Sequence, residues 1–151
     1  MKRLWGALGL VLALGVFMPR VSAAQTIQDG QKSRNGVRLG QNYPNPFNPE
    51  TRIPFGLGDT PNCTDTKQYR VSMKIYNVVG IYMASPILQS ATSGVAGGQP
   101  LEKLSLPCGE YIAYWDGKIQ ATGREAASGV YYYRLEVDGV PRVVQKMIVV
   151  K

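Results

Sequence analysis

From Leu39 to Lys151 apolar and polar positions alternate at a period of two between Gly, Pro and Asn breaks, which predicts antiparallel strands rather than helices. Val71, Met73 and Ile75 fall on one face and Arg70, Ser72 and Lys74 on the other, giving a half-buried strand that ends in a turn over Asn77 to Gly80. A further strand is expected over Tyr82 to Leu88, with Pro86 marking an edge or a bulge. Ser90 to Pro100, rich in Gly, Ser and Ala, reads as a mobile loop, and Leu101 to Leu106 alternates again. Beyond Pro107-Cys108-Gly109, Tyr111, Ala113 and Trp115 point one way and Ile112 and Tyr114 the other, which makes Trp115 a core anchor. Asp116-Gly117 opens a loop through Gly123. Val130 to Val137 and Val140 to Val150 then form a hairpin about Asp138-Gly139. In its first arm Tyr131, Tyr133, Leu135 and Val137 share one face, and Tyr132, Arg134 and Glu136 share the other. The second arm is apolar on both faces near its end, the pattern of a central or covered strand. About seven short strands with no helix predict an all-β fold of two packed sheets, a β-sandwich.

Ahead of these strands lies a proline-rich arm, Leu39 to Phe55. Pro44, Pro46, Pro49 and Pro54 fix φ and withhold N–H donors, while Tyr43, Phe47, Ile53 and Phe55 are expected to pack down. Asn45 and Asn48 stand between the prolines. Such an arm caps a sandwich and blocks edge pairing, and its rigidity suits protein contact equally well.

The N-terminus has a different grammar. Met-Lys-Arg precedes an apolar run from Leu4 to Met18, followed by Pro19, Arg20 and the small residues Val21 to Ala24, the order of a secretory signal peptide cut after Ala23 or Ala24. As a helix that run would span only about 22 Å, short of the roughly 30 Å hydrocarbon core, so a retained membrane anchor is the weaker alternative. The expected organisation is a signal helix over residues 1–23, a polar tether over 24–38 and one β domain over 39–151. About a dozen residues separate the cleavage site from the domain.

Composition narrows the chemistry. The formal charge of +7 loses Lys2, Arg3 and Arg20 with the leader, leaving 14 basic and 10 acidic residues and a net +4. The basic residues are scattered and lack interleaved stacking aromatics, so nucleic acid is not an expected partner. Cys63 and Cys108, 45 positions apart (108 − 63), form an even pair in an exported chain and are expected to be bridged. Closing that loop stabilises by about 4 kcal/mol in the chain-entropy account. The chain has no histidine, and its acidic residues are dispersed, so no nucleophile, base and orienting group can be named together. No enzyme activity, cofactor, metal or small-molecule substrate is expected. Of the tyrosine run, Tyr131 and Tyr133 read as core residues, and Tyr132 as the exposed candidate for contact.

Five ordered blocks carry a resemblance: Gln41-Asn-Tyr-Pro-Asn-Pro-Phe-Asn-Pro-Glu-Thr51, Val71-Ser-Met-Lys-Ile-Tyr-Asn-Val-Val-Gly80, Trp115-Asp-Gly117, Ala127-Ser-Gly-Val-Tyr-Tyr-Tyr-Arg-Leu135 with Gly129 as its third residue, and Lys146-Met-Ile-Val-Val-Lys151. In these the chain resembles the C-terminal sorting domain of proteins exported by the bacterial type IX secretion system, and the related immunoglobulin-like domain of flagellar hook-capping proteins. The resemblance implies an immunoglobulin-like antiparallel β-sandwich whose folded shape and final strand, with Lys146 and Lys151, are read by export machinery. It departs in the loop after Trp115, where Lys118, Ile119 and Gln120 stand in place of a further acidic residue and no calcium site is inferred. The stretch from Ala91 to Glu110 is longer than the family pattern and is a candidate for partner-specific contact. The expected function is an exported, non-catalytic accessory subunit docking on a protein complex at the periplasmic or outer face of the bacterial envelope. The alternative is a sorting and surface-attachment signal with a minimal passenger.

Overall fold

A computed structural model of the chain describes residues 31–32, 36–60, 62–64, 66–91 and 95–151; the expected leader and most of the tether lie outside the described residues. Among the described residues there are ten strands and no helix. The strands are β1 (Gln31–Lys32), β2 (Arg38–Leu39), β3 (Thr51–Leu57), β4 (Gln68–Asn77), β5 (Tyr82–Ala84), β6 (Ile87–Ala91), β7 (Leu104–Pro107), β8 (Gly109–Trp115), β9 (Gly129–Val137) and β10 (Val140–Val149). They form two antiparallel sheets, ordered β1-β2-β3-β8-β6 and β10-β9-β4-β5, with β7 paired to the same edge of β4 as β5 but at its other end.

One buried cluster serves both sheets. Ile53, Phe55, Ala113 and Trp115 enter it from the first and Val71, Met73, Ile75, Tyr133 and Leu135 from the second, each at the alternate positions expected of a half-buried strand. Burying one such aliphatic or phenyl side chain is worth about 1.5–3 kcal/mol, so this shared layer is what holds the sheets together. Phe47 packs edge-to-face on Trp115 at 5.5 Å, and Tyr131 does so at 6.0 Å.

Three departures from the expected strands have local causes. The strand expected over residues 82–88 is divided: β5 lies in the second sheet and β6 in the first, and the chain crosses between them at Ser85-Pro86. Pro86 has no N–H with which to continue a ladder, so the strand breaks there. The strand expected from Leu101 begins only at Leu104, because Lys103 lies in the left-handed region at φ 55° and interrupts extended backbone. The described part of the loop expected to be mobile is held instead: Leu88 N–H donates to Gln99 O at 2.7 Å and Gly98 N–H to Leu88 O at 2.6 Å.

Cys63 and Cys108 are bonded, with Cα atoms 5.4 Å apart. Cys63 lies in the crossover from β3 to β4 and Cys108 in the crossover from β7 to β8, so the bridge joins two connections between the sheets at one end of the molecule.

Candidate interaction surfaces

The proline arm begins and ends in the first sheet, at β2 and β3, and its middle reaches across to the second. Tyr43 exchanges backbone hydrogen bonds with Arg52 of β3, at 2.8 and 2.9 Å. Four residues later Phe47 accepts from Val150 N–H and donates to Ile148 O, both at 3.0 Å, in a parallel bridge to β10. Side chains extend the seam: Asn45 Oδ1 accepts the Ile148 N–H at 3.0 Å and Gln41 Nε2 donates to Lys146 O at 2.9 Å. β10 is therefore an edge strand of its sheet, not a central one, whose outer backbone groups are covered from Lys146 to Val150; of its apolar side chains Met147 and Val149 are buried, whereas Val144 and the following Val150 are exposed.

Beneath the arm sits a buried polar knot. The Tyr133 hydroxyl donates to Gly40 O at 2.8 Å and accepts from Asn42 N–H at 3.0 Å. Asn42 Nδ2 donates to Thr51 Oγ1 and to Pro44 O, and the Thr51 hydroxyl donates to the same carbonyl. Burial drives the Tyr133 phenol well above its ordinary pKa, with the Asn42 N–H opposing part of the shift. Gln41, Asn42 and Thr51 entered the sequence reading only as members of the first resemblance block; the links of Asn42 to Tyr133 and of Gln41 to Lys146 O span about a hundred positions and left no local signal.

The other expected residues fall into two groups. Phe47, Trp115, Tyr131 and Tyr133 are buried, whereas Tyr43, placed by pattern in the core, is 45% exposed, and its neighbours Pro44, Asn45 and Pro46 are exposed as well. The alternation fails at Tyr43 because the arm leaves β3 there and turns toward β10. Asn48 and Pro49 are also exposed, but the Pro49 carbonyl closes on Gly117, where a Cβ would lie 2.2 Å from it and φ is 75°. Trp115 Nε1–H donates to Lys118 O at 2.9 Å, and Asp116 Oδ1 accepts the Lys118 N–H at 3.0 Å, so Asp116 works as a turn residue. Gly129 opens β9. Lys151 pairs with Glu125 and donates its backbone N–H to Ser128 Oγ at 3.0 Å.

Tyr132 and Lys146 face outward as cross-strand partners, and Tyr132 also opposes Tyr76 on β4, which opposes Tyr82 on β5. Three tyrosines and a lysine thus lie in one row across the outer face of the second sheet. Beside this row Arg134 stacks on Tyr76 with its guanidinium 4.8 Å from the ring centroid and donates to the Tyr76 hydroxyl at 2.6 Å. Lys74 and Arg134 both pair with Glu136, at 3.2 and 2.6 Å. Burial disfavours the Glu136 carboxylate, but these two cations outweigh it and hold its pKa below the ordinary value. A groove of about 1030 Å³ runs over β4 on this face. Alternation alone marks these side chains as outward; only the register brings them together.

No family model, curated protein or solved structure matches this chain.

Proposed function

We propose that this chain is an exported, non-catalytic contact module of immunoglobulin-like β-sandwich type, a small accessory subunit that docks on a protein complex at the periplasmic or outer face of a bacterial envelope. The observation that carries this reading is the outer face of the second sheet, where Tyr132, Tyr76, Tyr82 and Lys146 are lined up by strand pairing and flanked by Arg134 and Lys74. Aromatic and guanidinium groups held in place by a sheet are the side chains that contribute most at protein interfaces, and their prior ordering lowers the entropic cost of association. The leader pattern supplies the reason to place that interface outside the cytoplasm.

A second reading, a sorting and surface-attachment signal, is favoured by a separate observation. The last block, Lys146 to Lys151, is bonded to the proline arm along its edge while the Lys146 side chain stays exposed, so the end of the chain belongs to a defined folded surface. Fractionating cells that express the chain at native level, followed by size-exclusion chromatography and intact-mass spectrometry, separates the readings. The subunit reading expects a mass that retains Lys151, lacks the leader, and elutes in stoichiometric amount with an envelope complex. Loss of the β domain or a glycolipid mass addition would establish the sorting reading, and a monomer in the cytoplasmic fraction would sink both.

A further inference from the structure

The groove on the second sheet has two unlike ends. Its floor is the outward row of β4, Gln68, Arg70, Ser72, Lys74 and Tyr76, which at the strand rise runs about 27 Å. At one end Tyr76 and Tyr82 meet edge-to-face at 6.2 Å. The turn that follows directly along the chain exposes Val78, Val79 and Ile81 at 64%, 73% and 57%, in a conformation fixed by Asn77 Oδ1, which accepts the N–H groups of Val79 and Ile81. At the other end Arg70 and Lys103 line the groove, and among the described residues neither cationic head group has an ion-pair or hydrogen-bond partner. Lys103 is moreover held in left-handed backbone, a region that lysine seldom occupies, by its N–H bond to Ser72 Oγ at 2.9 Å.

We propose that this groove is a docking site for an extended peptide segment of another protein, about eight residues long, with acidic side chains over Arg70 and Lys103 and aliphatic or aromatic ones over Tyr76, Tyr82 and the Val78–Ile81 turn. The inference rests on the contact-module reading and names the chemistry of its partner. An extended segment of that length matches the floor, and a peptide can present both chemistries within one short stretch. A polysaccharide repeats one chemistry along its length and would leave the apolar turn unused. A nucleic acid strand would require continuous positive charge, which Glu102, Glu136 and Asp138 interrupt.

The test is selection of a phage-displayed random octapeptide library on the purified chain with its disulfide intact. The expected result is convergence on sequences with acidic residues clustered at one end and aliphatic or aromatic residues at the other. A fluorescein-labelled synthetic copy of the most enriched peptide, followed by anisotropy, should bind more weakly as salt rises. Its binding should fall about tenfold or more in the Arg70→Glu/Lys103→Glu variant. Tyr82→Ala should also weaken it, and Tyr114→Phe on the opposite sheet should not. Thermal unfolding establishes that each variant is folded, and Arg70→Gln with Lys103→Gln is the milder pair should the charge reversal unfold the chain. Failure to converge, or binding indifferent to the charge changes, overturns the proposal. So does retardation in gels containing xylan or mixed-linkage β-glucan that the same reversal abolishes, which would give the groove to a glycan. If the chain still elutes with its envelope complex in the reversed variant, this site fails while the contact module stands; if the unaltered chain elutes with no complex, the module itself fails.

Discussion

The Tyr133 hydroxyl shows how much one polar atom can carry in this molecule. It is buried between Gly40 O and Asn42 N–H, groups in the segment that must leave the first sheet and reach β10. Removing it leaves both without that partner, at a cost of about 1–3 kcal/mol, so Tyr133→Phe is expected to unfold at lower urea concentration with an unchanged slope. Its raised pKa adds a pH signature. The folded state favours the neutral phenol, so this contribution is complete below the unfolded value of 10.0 and is lost as pH rises beyond it; the phenylalanine variant should lack that part of the alkaline decline. Glu136 has the opposite sign. Its pKa is depressed, so its contribution is present above the unfolded value of 4.5 and is lost as pH falls through the folded one. Thermal unfolding from neutral pH down to about pH 3 should show a shallower acid limb in Glu136→Gln than in the unaltered chain.

At the scale of elements, the arm is a cover for an edge rather than a separate appendage. Its prolines have no N–H to offer a neighbouring chain, while Phe47 and Asn45 occupy the outer groups of β10. Asn45→Ala removes the acceptor for Ile148 N–H without touching the core, and a loss of about 0.5–1.5 kcal/mol is expected. Amide exchange read by NMR is the sharper measurement: the Ile148 amide should lose protection while that of Met73 in β4, bonded to Leu101 O in the loop ahead of β7, keeps its own. Equal loss at both would mean that the arm supports the whole sheet rather than one edge.

For the molecule as a whole, the disulfide and the arm act at different places. The bridge joins crossovers between the sheets, and the arm joins β3 to β10. Replacing both cysteines by alanine should cost about 4 kcal/mol at most in the chain-entropy account, read as a lower midpoint in guanidinium. A change much smaller than this would indicate that the crossovers are already held by the buried Leu57, Tyr69 and Leu106 around them. The charged outer face of the second sheet should survive that replacement, since its pairs lie within β4 and β9.

Period-two alternation was sufficient to identify the strands on either side of Lys74, Ala113 and Tyr133, because which side of a strand faces water depends on neighbours one and two residues away. The cysteine pairing was legible for a similar reason, since only two cysteines exist to be joined. Pro86 was recognisable as an edge or bulge position, but not as the point where the strand breaks and the chain changes sheets. That Tyr43 lies outside, that β10 is an edge strand covered by the arm, and that Arg134 reaches Tyr76 on β4 were decided by tertiary structure alone. Each depends on contacts between residues tens of positions apart, and local pattern records which face a side chain occupies without recording what stands opposite it.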